Sequence, residues 1–448
     1  MATRAKFLQG SILKHVITMA STNAIGLSVL FMVDLINIFF ISSLGNSSYT
    51  AAIGYASALL FLSTSLCLSL VTVNSAIISK LIGQHKYQKA RQSVSNLSVY
   101  ALIMSTLISL LIWIYTPALL TLIGANGEEL QGAILYIRII IPSLPILALS
   151  MQMGATLRSL GNAKHAMYAS LGGGLINACL DPIFIFVLHM DIRGAAIVSV
   201  IARITALGLG FYFLIKKHDM LALPHFDLFK KDIKRISNIA LPATLTQMAT
   251  PLGNLYVTYE VANFGSKYVA GWAIIGRLIP VAFSLLFALS GAIGPIIGQN
   301  FGAGSFARVR DTLTQSLKLC IAYTSCVAIL LALGQETIIN IFHAQHESAE
   351  IIQVFCQYVA ITFVFTGFTF VSMAFLNNLG YAKYATLLNI GKMTLGTVPF
   401  VSIGAFYFNA PGILYGQALG NIIFGLLALR LTYKILNLSE NKYQSNIR

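Results

Sequence analysis

Long apolar stretches divide this chain. Twelve of them lie near residues 14–40, 50–80, 93–119, 132–157, 166–189, 194–215, 237–262, 269–297, 312–334, 351–378, 384–408 and 411–437, with short polar segments between. A helix of about 20 apolar residues crosses a hydrocarbon layer of about 30 Å. Inside that layer no water satisfies backbone N–H and C=O groups, so only helices or closed barrels can span it. Barrel strands need only about 9–11 residues, so runs of this length predict helices. Charged residues make up 10% of the chain, against about 25% in soluble domains. The expected fold is an all-α polytopic membrane protein of about twelve transmembrane helices.

The chain also repeats itself. Residues 157–171, LRSLGNAKHAMYASL, align with 376–390, LNNLGYAKYATLLNI, through Leu157/Leu376, Leu160/Leu379, Gly161/Gly380, Ala163/Ala382, Lys164/Lys383 and Ala166/Ala385. A second echo pairs Gly83-Gln84 and Ala90-Arg91 with Gly298-Gln299 and Ala307-Arg308. Two pseudo-symmetric six-helix lobes follow. The expected boundaries are residues 1–215 for the first lobe, 216–236 for a cytoplasmic linker and 237–448 for the second lobe. Membrane halves related by a repeat are the usual build of alternating-access transporters.

The net charge of +15 does not point to nucleic acid, because the basic residues alternate between loops. Lys80, Lys86, Lys89, Arg91, Arg158, Lys164, Lys216, Lys217, Arg308, Arg310 and Lys383 fall on one side. The intervening loops hold Glu128, Glu129, Asp191, Glu336, Glu347 and Glu350, with only Arg193 and Lys267 among the cations. By the positive-inside rule both termini are cytoplasmic, in the cell (inner) membrane. Cys67, Cys179, Cys320, Cys326 and Cys356 all lie in expected spans without metal spacing and read as free thiols.

Ionisable groups deep in a bilayer are costly and so become functional candidates. These are Asp34, Asp181, Glu260, Arg277 and Lys392; Arg138, Arg203, Lys318 and Arg430 sit nearer span ends or can snorkel. Asp181 is placed near the middle of the fifth span. Asn177 stands one turn before it on the same helix face. Pro182 follows and has no N–H for the carbonyl of Ala178. A carboxylate, an amide oxygen and a freed carbonyl suit a hard cation such as Na⁺. A lone carboxylate there would hold a proton instead, since desolvation disfavours its charged form. The alternative is a buried Asp that bridges helices. Asp34 in the first span has Asn37 one turn on, and Asp34 and Asp181 would titrate together if their spans pack side by side.

At the repeat offset Asn177 maps to Gly396, Asp181 to Phe400 and Asp34 to Gly253, which confines the ion site to the first lobe. The second lobe offers Gln247, Glu260, Arg277 and Lys392 as cleft candidates. Glu260 either reaches the interface or pairs with a cation such as Lys267. Arg277 and Lys392 either pair within the protein or attract an anionic substrate. His343 and His346 read as residues of a solvated outer loop. No GxSxG, GxxxxGK[ST] or HExxH is present, so neither an enzyme nor a self-contained ATP-driven pump is expected.

Several segments, in order along the chain, resemble the multidrug and toxic compound extrusion (MATE) family. They are MVDLINIFFISSLGNSSYTAAIGYA, GQHKYQKARQS, LRSLGNAKHA, NACLDPIFIF, GAAIVSVIAR and GWAIIGRLIPVAFSLLFALSGAIGPIIGQNFGAG. The resemblance implies two six-helix lobes and export of amphipathic, often cationic, drugs or metabolites driven by H⁺ or Na⁺ entry. It implies a cation site at Asp34, Asn177 and Asp181, with a hydroxyl at Ser199. Counting back from Leu44-Gly45, the family's span-one acid falls on Asn37 rather than Asp34. The acids that some members carry in spans seven and ten fall near Thr250 and Phe368, neither of them acidic. The competing reading is a lipid-linked saccharide flippase of the same superfamily, which would want a strongly basic cleft. No cofactor beyond the coupling ion is expected, and the expected partners are membrane lipid and a small-molecule substrate, with no nucleic acid and a monomeric state.

Overall fold

Helix is the only regular structure among the described residues, as a chain without water around its backbone requires. The computed structural model describes residues 5–42, 47–222 and 226–445, except the side chains of residues 30, 31, 34, 35, 38, 39, 42, 47, 50, 226–231 and 266. Helical segments join end to end into twelve rods. The first six are α1 (Ile12–Ser42), α2 (47–83), α3 (Tyr87–Leu122), α4 (Gly127–Ser159), α5 (Ala163–Val187) and α6 (Asp191–His218). The second six are α7 (Phe226–Ala262), α8 (266–302), α9 (Phe306–Ile341), α10 (Glu347–Asn378), α11 (382–407) and α12 (410–445). The last two rods follow each other without a loop; Phe408 (φ −127°) and Asn409 (φ 56°) break the helix between them. Among the described residues, nine helices are long and apolar enough to cross a membrane, the α11–α12 pair counted as one.

The repeated segment is a helix stop. Gly161 (φ 82°) and Gly380 (φ 93°) both take the left-handed conformation that ends a helix and that a side chain resists. The next amide reaches back in each copy, Asn162 N–H to Leu157 O at 2.9 Å and Tyr381 N–H to Leu376 O at 2.7 Å. The matched Leu157/Leu376, Leu160/Leu379, Ala163/Ala382 and Ala166/Ala385 are all buried, whereas Lys164 and Lys383 are exposed. Five of the six matches therefore encode one cap and its packing, and the sixth a surface charge.

The residues divide into two compact units. The first comprises Met1–Lys6 and Ile25–Thr244, the second Phe7–Ala24 and Leu245–Arg448. The boundaries lie inside α1 and α7, not in the 216–236 connection. Within the first unit, the guanidinium of Arg91 donates to Leu221 O at 2.5 Å and pairs with Asp219 at 2.8 Å. Within the second, Arg308 donates to Phe7 O at 2.8 Å, Gly10 O at 3.1 Å and Asn300 Oδ1 at 3.0 Å, while Phe7 N–H donates to Gln299 Oε1 at 3.0 Å. The second sequence echo is thus a pair of arginine clamps. Each holds the segment that leads into the first helix of the other sequence half.

Small residues let helices approach within the second unit. A Cβ on Gly420 or Gly416 would strike the carbonyl of Gly396 or Phe400, so α11 and α12 pack backbone against backbone. Lipid tails are as apolar as the helices, so no hydrophobic force drives the helices together, and this close van der Waals contact takes its place.

Candidate functional site

The site grows from α5. Asn177 and Asp181 are one turn apart on its buried face, with Asp181 0% exposed and Asn177 7% exposed. Pro182 ends the α-helical hydrogen bonding, and Ile183–Val187 continues as a π-helical turn. Turns of this kind insert a residue into the ladder and recur at functional sites. Both carboxylate oxygens of Asp181 and Oδ1 of Asn177 lack a hydrogen-bond partner among the described residues. Buried polar groups are nearly always paired, so three orphaned acceptors within one turn call for an occupant.

The depth differs from the sequence expectation. Asp181 lies about 27 Å along the rod from Ala163 and about 9 Å from Val187, so it sits in the C-terminal third of α5 rather than near its middle. The apolar run in the sequence, 166–189, is centred between Asn177 and Ala178, but the folded helix starts three residues earlier, at Ala163, and ends at Val187, which moves its centre back to Leu175.

Helix α1 runs parallel to α5 and its register can be read from contacts. Gly26 faces Ser170, Gly174 leaves room only for Val29 and Val33, and the rings of Phe40 and Phe186 meet edge to face at 5.8 Å. Interpolating between the last two contacts puts Asn37 at the level of Asp181. Asn37 is 8% exposed, and its Oδ1 is likewise unpartnered among the described residues. The side chain of Asp34 lies outside the described residues; its backbone is one turn earlier on α1.

Helix α6 runs antiparallel to α5. A Cβ on Gly173 would stand 3.0 Å from Ala202 O, and one on Gly194 would stand 2.9 Å from Phe184 O. Ser199, 8% exposed, therefore falls at the level of Asn177, about one turn from Asp181. Three helices bring a carboxylate, two amide oxygens and a hydroxyl within about one helical turn of one another in height. Apart from the hydroxyl and the amide N–H groups, these are acceptors. Such a set has the chemistry to take a proton or a hard monovalent cation, and none of its members is a cation that would neutralise Asp181 internally.

In the second unit the candidates do not form one cluster. Arg277 is exposed, Gln247 and Glu260 are half-buried, and Lys392 is buried. Lys267 pairs with Glu347 at 3.3 Å, so the suggested Glu260–Lys267 pair is replaced by another. Arg203, read from the sequence as near a span end or able to snorkel, donates to Ser143 Oγ at 2.7 Å and Ile140 O at 3.3 Å, where a 3-10 step at Ile141–Ser143 interrupts α4. Arg138 is exposed and lies over the Trp113 ring at 5.6 Å. Thr250 receives a hydrogen bond from Asn389 Nδ2 at 3.3 Å, and Asn389 also donates to Thr246 O at 2.6 Å. Among the described residues no group of three or more His, Cys, Asp or Glu side chains could hold a metal ion.

Sequence reasoning passed over a second buried polar group in the first unit. Asn74 Nδ2 donates to Thr156 Oγ1 at 2.7 Å, and Gln152 Nε2 donates to Val94 O at 3.1 Å. Asn74 Oδ1 and Gln152 Oε1 are unpartnered among the described residues. The available signal was polar amides inside apolar runs, of which the sequence reading took up only Asn37, Asn177 and Gln247.

Comparison with known proteins follows the same lines. The family described as MatE matches residues 24–183 and 242–430. The chain is 26% identical over 441 residues to the FAD transporter of Shewanella oneidensis, covering 97% of each protein. It is 24% identical over 438 residues to the multidrug export protein MepA of Staphylococcus haemolyticus, covering 96% of this chain and 95% of that one. The solved structure of the Vibrio cholerae MATE transporter VcmN in the bent form matches with a TM-score of 0.91 at 24% identity, over 96% of this chain and 98% of that one. At that identity the structural likeness speaks for the fold.

Proposed function

The chain belongs to the MatE family, and on that premise we propose that this membrane transporter exports amphipathic small molecules in exchange for H⁺ or Na⁺. Like the family's other members it is a transporter and not an enzyme. The observation that carries the coupling is the unpartnered carboxylate of Asp181, buried one turn from Asn177 and Ser199 and level with Asn37. An ion entering from outside neutralises Asp181 and is held by the neighbouring oxygens. The neutralised site is more stable in a buried setting, whereas the empty, charged site favours solvation. Coupling follows because ion and substrate favour opposite-facing states. One charge moving through 100 mV supplies about 2.3 kcal/mol to that exchange. Twelve spans with both termini cytoplasmic, in the cytoplasmic membrane, place the more basic loops on the side from which substrate is taken.

The cargo class rests on analogy with the relatives: MepA is named a multidrug export protein, the Shewanella relative an FAD transporter. The test is export of a fluorescent amphiphile from proteoliposomes under a pH gradient alone and then a Na⁺ gradient alone, with Asp181→Asn beside the parent. Export driven by one gradient and lost in the variant supports the proposal and names the ion. Export that Asp181→Asn leaves unchanged overturns the assignment of coupling to this carboxylate.

A further inference from the structure

The two units carry opposite buried charges on equivalent helices. Helix α5 bears Asp181; its repeat partner α11 bears Lys392, where α5 has the close-packing Gly173. Lys392 is 6% exposed. It shares a buried stripe with Ala385, Asn389 and Gly396, while Leu387, Ile390 and Leu395 on the other face are exposed. The ammonium is therefore turned into the second unit and away from lipid. It stands about 15 Å along the helix from Ala382, too deep for a four-carbon stem to reach a polar interface.

No acid in the described residues answers it. Helix α11 packs on α7, through Asn389 with Thr246 and Gly253 with Met393, and on α10 and α12. On α7, Glu260 lies about 10 Å beyond Gly253, the residue packed on Met393 beside Lys392, and Asp232 accepts from Asn96 Nδ2 at 2.8 Å in the first unit. On α10, Glu347 pairs with Lys267, and Glu350 accepts from the Tyr268 hydroxyl at 2.9 Å. On α12, Glu440 is engaged by Arg310. The charged groups nearest along the sequence of α12 are Arg430 and Lys434, of the same sign.

A lone buried cation is destabilising unless a counter-charge arrives. Resting on the reading of this protein as an exporter, we infer that Lys392 receives the anionic group, a carboxylate or phosphate, of an amphipathic organic substrate. The resemblance alone implied cationic cargo; the second unit is built for the opposite sign. The first unit would take the coupling cation and the second the substrate's anion, so each charge has its own lobe.

The test uses proteoliposomes of the full chain and two dyes of similar size, anionic carboxyfluorescein and cationic rhodamine 123. Binding of each dye to the purified protein is measured in parallel by fluorescence polarisation. The expected result is that Lys392→Gln weakens binding and export of the anionic dye at least about tenfold and leaves the cationic dye unchanged, while Lys392→Arg retains anionic binding. Equal loss of both dyes in Lys392→Gln and in Lys392→Arg would mean a structural role and overturn the inference. So would a parent that binds only the cationic dye, or anionic binding that chloride abolishes at equimolar concentration. Failure of coupled export is separable: if neither gradient drives transport but anionic binding still depends on Lys392, the coupling proposal falls and this one stands.

Discussion

Replacing Asp181 with asparagine should stabilise the protein and uncouple it at the same time. Leaving a buried acceptor unpaired costs about 1–3 kcal/mol, and more when it is charged. Asp181 contributes two such oxygens, and Asn37 and Asn177 one each. An asparagine at this position brings two N–H donors to neighbouring amide oxygens and removes the charge. Two new hydrogen bonds at about 1 kcal/mol each give a gain of about 2 kcal/mol. In a unit of roughly two hundred residues that moves the unfolding midpoint upward by about 4–8 °C. The assay is thermal unfolding of purified protein in Na⁺-free detergent buffer, followed by intrinsic fluorescence, beside gradient-driven export from proteoliposomes. A variant that unfolds below the parent in that buffer, or one that still exports uphill, would refute the reasoning. In the first case Asp181 would have a partner that the reasoning leaves out; in the second the ion would travel elsewhere.

The register of α1 against α5 gives a second expectation: Asn37→Ala should raise the half-saturating concentration of the coupling ion about tenfold, the loss of one ligand at roughly 1.4 kcal/mol, in an initial-rate titration of export. A result in which Asn37→Ala titrates like the parent would remove Asn37 from the site. Two glycine substitutions separate packing from propensity. Gly420→Ala drives a methyl into the carbonyl of Gly396 and should cost about 1–3 kcal/mol, whereas Gly208→Ala meets nothing within 4 Å and should be neutral or stabilising by up to about 1 kcal/mol, both read by thermal unfolding.

Much of this protein is legible in one dimension because lipid removes alternatives. Backbone groups without water must bond within their own segment, so apolar runs of this length become helices before any neighbour is known. The same holds for the helix stops at Gly161 and Gly380, since a left-handed cap is a local property that only a few residue types accept. Asp181 and Asn177 were visible for a related reason: helical spacing puts them on one face, and a carboxylate in an apolar run stands out.

What required the tertiary structure was everything that depends on register between helices. Whether Asn37 or another residue of α1 meets Asp181 depends on how α1 slides along α5, and that is set by Gly174 admitting Val29 and Val33. The division of α1 and α7 between the two units follows from which partners their halves pack on, such as Asn23 Nδ2 to Ala288 O at 2.7 Å and Thr244 Oγ1 to Ser69 Oγ at 2.8 Å. The solitude of Lys392 has the same origin. A sequence places a charge along a helix, but only packing fixes which charges come within reach of it, because side-chain contacts between helices depend on rotation and slide that no single helix encodes.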